Sequence, residues 1–162
     1  MSFDQVFKDN GPFVWRTLRR LGVREADVDD VCQEVFVVVA RKLAEFEGRS
    51  TLRTWIYGIC IRTASAHRRL ARHRETPTED VPERVAEGTP HESLARNRAL
   101  AALDRALSSL DDDKRTVFVL YEIEELGMAE IAEIVGCPLQ TAYSRLHAAR
   151  DKVQTALKAE AK

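Results

Sequence analysis

Between Glu75 and Pro90 the chain sets Pro77, Pro82, Gly88 and Pro90 among acidic residues. Prolines remove backbone donors and clash with a continuing helix, so no packed element is expected to run through this stretch. The chain must therefore fold on either side of the break, in two pieces of about seventy residues each. A flexible tether of roughly 16 to 18 residues spans on the order of 20 to 25 Å on average, enough to let two units sit apart. Hydrophobic content of 44% beside 31% charged residues is too apolar for disorder throughout, so a core is expected.

Both pieces carry the helical repeat. In the first, Val28, Val31, Cys32, Val35, Phe36, Val38, Val39 and Leu43 recur at three- and four-residue steps, which places one apolar stripe on a single helix face. Glu47 to Ser50, with Gly48, breaks the repeat as a short polar loop, and a second run follows with Leu52, Trp55, Ile56, Ile59 and Cys60. In the second piece Ser93 reads as an N-cap for a helix through Leu94, Leu100, Leu103 and Leu107. Asp111, Asp112 and Asp113 favour the positive end of the next helix, which continues through Val117, Phe118, Leu120 and Tyr121. After Gly127, a short run from Met128 to Val135, the turn Gly136-Cys137-Pro138 and a longer run from Leu139 to Val153 have the pattern of a helix-turn-helix. Leu139, Ala142, Leu146, Ala149 and Val153 would form its buried face. The fold class expected is all-α: two small helical domains at 1–74 and 93–162, joined by a flexible acidic linker at 75–92.

Charge is distributed unevenly behind a net value of -1. From Arg49 to Arg74 there are seven arginines and no acid, whereas Glu79, Asp80, Glu83, Glu87 and Glu92 then face Arg84 alone. A basic block followed by an acidic one reads as a polyanion-binding segment and a solvated linker. No apolar run approaches the roughly 18 to 20 residues needed to cross a bilayer, and no basic stretch leads into an apolar one at the start, so a cytoplasmic location is expected. Cys32, Cys60 and Cys137 stand far apart without C-x-x-C spacing, signal neither zinc nor a disulfide framework, and read as small buried hydrophobes.

Three features carry possible function, each beside a plainer alternative. Opposite the apolar stripe, the last helix offers Gln140, Thr141, Tyr143, Ser144, Arg145 and His147, donors and acceptors suited to base edges and phosphates. A solvated face on an ordinary helical bundle is the alternative. The absence of acids between Leu139 and Arg150 favours DNA. The arginine block interleaves with Trp55 and Tyr57, and single strands are held by positive charge with aromatic platforms for unstacked bases. Trp55 shares its spacing with Leu52, Ile56 and Ile59 and by that pattern reads as core, while the arginines read as functional. Asp27, Asp29, Asp30, Gln33 and Glu34 lie on the polar side of the first stripe. They could be metal ligands, an acid/base pair, a protein-binding surface or a solvated helix start, and no His or Cys at a helpful spacing supports a metal.

The string Asp27-Val-Asp-Asp30-Val-Cys-Gln33-Glu34-Val-Phe36 resembles the D-x-x-D-x-x-Q-E-x-F helix of region 2 in RNA polymerase sigma factors of the sigma-70 family. Phe46-Glu-Gly48-Arg-Ser50 and Leu52-Arg-Thr54-Trp55-Ile56-Tyr57 look like the loop and promoter-reading helix of that region. Leu107 to Leu110, Arg115, Glu130-Ile131-Ala132, Gly136, Pro138, Thr141, Ser144-Arg145-Leu146 and Ala149-Arg150 resemble region 4. No room remains for the first-region extension or the central third region of larger sigma factors, which implies the extracytoplasmic-function group.

The resemblance implies that Asp27, Asp30, Gln33 and Glu34 face core RNA polymerase. It further implies that Phe46, Arg49, Ser50, Thr51, Arg53, Trp55, Arg62 and Arg69 serve melting and capture of single-stranded DNA at the minus-ten element. Gln140, Thr141, Tyr143, Ser144, Arg145 and His147 would meet the duplex at the minus-thirty-five element. An anti-sigma factor is a further implied partner, and no cofactor is. Arg62 and Ala66 stand where the family often has Asn and then Asp or Asn, and Tyr143 and Ala148 stand where it usually has basic residues. These departures bear on promoter sequence, and the thinner positive charge predicts weak DNA binding by the free protein.

An autonomous helix-turn-helix regulator is the competing function, and such a protein usually binds a two-fold site as a dimer. The present chain is expected to be monomeric when free. An enzyme is not expected: G-x-S-x-G, a Gly-rich phosphate loop, H-E-x-x-H and a paired-carboxylate arrangement with a supporting His are all missing from the sequence.

Overall fold

A computed structural model of the chain describes residues 1–73 and 90–161, with the side chains of 90–92 left aside. The expected linker at 75–92 lies outside the described residues up to position 89. The chain divides into two compact units, Met1–Asp80 and Val81–Lys162, and the described residues of both are helices and their connections.

In the first unit α1 (Phe3–Arg20), α2 (Glu25–Lys42) and α3 (Leu52–His73) each pack against the other two. Ser2 caps α1, its Oγ accepting from the Gln5 N–H at 3.3 Å. Gly22, at φ 97°, ends it: the Gly22 N–H donates to the Arg19 carbonyl and the Val23 N–H to the Leu18 carbonyl, so two free carbonyls of the last turn are satisfied. Leu18 and Val23 are both buried beneath this turn. Val28, Val31, Val35, Phe36 and Val39 are the buried face of α2, as the three- and four-residue spacing predicts. Each such side chain contributes about 1.5–3 kcal/mol by leaving water. Val38, Leu43 and Cys32, from the same predicted stripe, are only half-buried.

The second unit holds α4 (Pro90–Ser108), α5 (Asp112–Phe118), α6 (Met128–Val135) and α7 (Leu139–Ala161), and α7 packs against each of the other three. Ser93 is not the N-cap of α4. The helix starts at Pro90, and Ser93 is a buried residue of its first turn. Proline is tolerated there because the first-turn N–H has no helical partner in any case. Asp111 caps α5, accepting from the Lys114 N–H at 2.9 Å, and that bond holds its carboxyl below the ordinary carboxylate value. The predicted run through Tyr121 is not one α-helix: after Phe118 the backbone widens to a π turn at Val119–Ile123. Gly136 closes α6 in the left-handed region at φ 72°. Ala142, Leu146, Ala149 and Val153 are buried, but Leu139 is 48% exposed, because it begins the helix beyond the edge of the core. Of the three cysteines only Cys60 is buried; Cys32 and Cys137 are half-exposed.

Candidate nucleic-acid interface

The outward face of α2 is the first candidate surface. Asp30, Gln33, Glu34 and Val37 obey the i, i+3, i+4, i+7 rule and are all exposed, Val37 to 49%. Asp27 lies at the edge of this stripe and is engaged inside the unit. Its Oδ2 accepts from Arg24 Nε at 3.1 Å and stands 3.4 Å from Nε2 of His67 on α3. Asp29 accepts from the Trp15 indole at 3.2 Å, a link from α2 to α1. The described residues contain no group of acids, His and Cys with metal-holding geometry.

The second surface is the loop before α3 and the start of that helix. Gly48, at φ 73°, turns the chain, and Arg49 pairs with Glu47 at 2.8 Å while remaining almost wholly in solvent. Such a pair is worth little. Ser50 donates to the Thr51 carbonyl at 3.2 Å. Thr51 supplies the helix cap: its Oγ1 accepts from the Thr54 N–H at 3.1 Å and bonds the Thr54 hydroxyl at 3.0 Å. Phe46 and Trp55 are both half-buried and stack on one another, with centroids 5.3 Å apart and planes tilted by 43°. Trp55 is therefore neither the core residue its spacing predicts nor a free platform.

The aromatic reading of Tyr57 is overturned. Its ring is buried against Phe13 at 5.1 Å, because α3 packs on both α1 and α2 and its apolar face is wide enough to include it. Arg53 donates from Nε to the Tyr57 hydroxyl at 3.3 Å and lies 4.5 Å over the Phe13 ring, so part of its charge is held by the protein itself. Arg68 donates to the Leu21 carbonyl at 3.0 Å and completes the end of α1. Arg62 and Arg69 remain exposed on α3. The Arg62 guanidinium folds back over Gly58, 3.5 Å from where a Cβ would stand.

The third surface is α7. Gln140, Tyr143, Ser144 and His147 lie on one exposed stripe at helical spacing, Tyr143 to 43%. Thr141 and Arg145 turn toward the flank and are half-buried, and Arg145 reaches Asp113 of α5 at 3.8 Å. Arg150 pairs with Glu122 and lies 5.4 Å over the Tyr121 ring. Arg115 is the buried cation of the unit. Its guanidinium donates to the carbonyls of Leu107 at 2.8 Å, Ser108 at 3.4 Å and Leu110 at 3.1 Å, which closes the C-terminal end of α4. Sequence reasoning missed three participants: Val37, and the acids Asp113 and Glu122, which become neighbours of α7 only through packing.

Two helical units, one with an exposed acidic stripe beside an arginine-bearing helix and one with an outward polar stripe on a helix-turn-helix, have the architecture of a nucleic-acid-binding protein. Comparison with known families gives the class a name. Residues 6–74 match sigma-70 region 2 and residues 100–153 match sigma-70 region 4. The chain is 34% identical over 142 residues to the RNA polymerase sigma-H factor of Pseudomonas aeruginosa, covering 81% of this chain and 73% of that protein. It is 32% identical over 142 residues to the ECF RNA polymerase sigma-E factor of Escherichia coli strain K12, covering 81% and 74%. Among solved structures, CnrH in complex with the cytosolic domain of CnrY is similar, with a TM-score of 0.70, 26% identity and coverage of 97% and 88%. The sigma factor RpoE of Bartonella quintana, in complex with the anti-sigma factor NepR, shares the fold at a TM-score of 0.80 and 24% identity, covering 96% of each chain.

The protein belongs to the sigma-70 family of RNA polymerase sigma factors, in its extracytoplasmic-function group. Its class of work is transcription initiation through DNA and RNA polymerase. No described helix is long and apolar enough to cross a membrane.

Proposed function

We propose that this sigma factor divides promoter recognition between its units. The Met1–Asp80 unit docks on core polymerase through Asp30, Gln33, Glu34 and Val37 and captures the minus-ten strand with the Phe46–Thr51 loop and α3. The Val81–Lys162 unit reads the minus-thirty-five duplex with α7. The observation that carries the reading is the α7 stripe: Gln140, Tyr143, Ser144 and His147 face outward together, and no acid lies between Leu139 and Arg150 in the sequence.

On the minus-ten side, Phe46 stacked on Trp55 leaves an aromatic edge at the start of α3, and Arg62 and Arg69 follow Trp55 along that helix at seven-residue steps, a combination suited to an unstacked base and its backbone. Thr51 acts there through the helix it caps, and Arg53 through the ring it covers. Asp27 braces α2 against α3 and contributes less to polymerase than its exposed neighbours. The free protein is a monomer, and an anti-sigma factor is a further partner.

Transcription by core polymerase from a promoter library tests this. Transcripts are expected only with the protein added, and alanine at Gln140, Tyr143, Ser144 and His147 should change the minus-thirty-five sequence selected while leaving the minus-ten sequence alone. If core polymerase neither binds nor initiates with the protein, or if light scattering finds a stable homodimer that binds a two-fold duplex site unaided, the assignment of roles is wrong.

A further inference from the structure

The reading segment of α7 carries two arginines, Arg145 and Arg150, and the fold gives both of them an acid. Asp113 comes from the first turn of α5 and Glu122 from the π turn. The Arg145 pair is loose, at 3.8 Å, and its Asp113 side chain is largely in solvent. The Arg150 pair is closer and two-thirds shielded on the Glu122 side, and the Tyr121 ring supports the guanidinium from beneath. A π turn adds a residue to the helical repeat and rotates the residues beyond it by about 100° relative to an uninterrupted helix. Tyr121 and Glu122 lie within this turn, on the side that meets Arg150 of α7. The acid-free stretch of sequence from Leu139 to Arg150 is thus not acid-free in space.

The consequence is electrostatic. Sequence-independent attraction to DNA comes from cations that neutralise phosphates and release counterions. Gln140, Tyr143 and Ser144 supply no fixed charge, and each arginine among them has an acid beside it. A phosphate that engages either arginine does so against the charge of a neighbouring carboxylate.

We propose that Asp113 and Glu122 set specificity: by placing negative charge against Arg145 and Arg150, they lower affinity for every duplex, so that only correct base contacts from the α7 stripe make binding productive. The proposal rests on the reading of α7 as the duplex-reading helix. Removing Glu122 should have the larger effect, since its pair is the closer one and its acid the less exposed.

The test is fluorescence anisotropy of the full-length chain on a short duplex pool of random sequence, from about 50 to 200 mM KCl. Glu122→Gln should tighten binding about three- to fivefold and Asp113→Asn up to about twofold, the scale of partly exposed ion pairs. The double variant should steepen the salt dependence by roughly one to two contacts, and adding Arg150→Ala should reverse most of the gain. With core polymerase, the double variant should initiate more from non-promoter templates relative to a selected promoter. Glu133→Gln, on an exposed acid of α6, is the control for bulk charge. If it tightens binding as much as the double variant, or if the double variant binds as the parent does, the proposal fails alone. If alanine across Gln140, Tyr143, Ser144 and His147 leaves promoter selection unchanged, the reading of α7 fails and takes the proposal with it.

Discussion

Arg115 shows how a charge can be structural at the scale of one residue. It is 4% exposed, yet its guanidinium meets three carbonyls at the negative end of α4, so burial is offset by hydrogen bonds and by the helix dipole. Arg115→Ala should strand those carbonyls in a dry site and destabilise the unit by about 3 kcal/mol. Arg115→Lys should recover only part, since an ammonium cannot fork across three acceptors. Urea denaturation monitored by circular dichroism measures both, and an alanine variant within about 0.5 kcal/mol of the parent would show that the contacts are dispensable. Cys32 shows the opposite case. Burial, and then the negative charge of Asp29, push its thiol up to about 11 from 9.0, so the reactive thiolate is roughly a hundredfold scarcer at pH 8 than for an ordinary thiol. Iodoacetamide should therefore label Cys32 on the order of a hundred times more slowly than glutathione under the same conditions, as peptide mass spectrometry can detect. Labelling at the glutathione rate would refute the assignment.

At the scale of elements, the sequence makes legible whatever obeys a short-range rule. Val28, Val31, Val35 and Val39 fall on one face because the helical repeat puts them there, and Asp111 caps α5 because an acid at that position accepts a first-turn N–H. Pro90 reads as linker because proline breaks helices, but at the first helical position it breaks nothing. Tyr57 reads as a platform because composition cannot tell that α3 is covered from two sides. The partners of Arg145 and Arg150 are hidden for the same reason, being distant in sequence. The π turn also has no local signature, and neither does the position after it: Glu125 sits at φ 57°, where a side chain is strained, without the glycine that would announce it. Its side chain is exposed, so the residue gives its conformation no compensating burial. Glu125→Gly should relieve that strain and raise the stability of the second unit by up to about 1 kcal/mol, visible as a higher urea midpoint with an unchanged slope. A lower midpoint would mean that the glutamate itself holds the turn.

For the molecule as a whole, 25 basic residues against 26 acids leave no net attraction to DNA, and the charge that could supply it locally is partly committed. Arg53 covers Phe13, Arg68 closes α1, and Arg145 and Arg150 face acids. On the proposed division of work, most of the affinity for a promoter comes from the assembled holoenzyme. The free chain should bind a promoter-length duplex no better than non-specifically, with a dissociation constant of about 10⁻⁶ to 10⁻⁴ M at physiological salt. Adding core polymerase should tighten binding to the same duplex at least about a hundredfold, toward the range of specific complexes. Alanine at Asp30, Gln33 and Glu34 should abolish that gain while leaving the weak binding of the free chain unchanged, because the α2 stripe would touch polymerase and not DNA. Electrophoretic mobility shift with and without core polymerase separates the possibilities. Tight, sequence-specific binding by the free chain would mean that α7 needs no polymerase to find its site, and that the two units do not divide the work in this way.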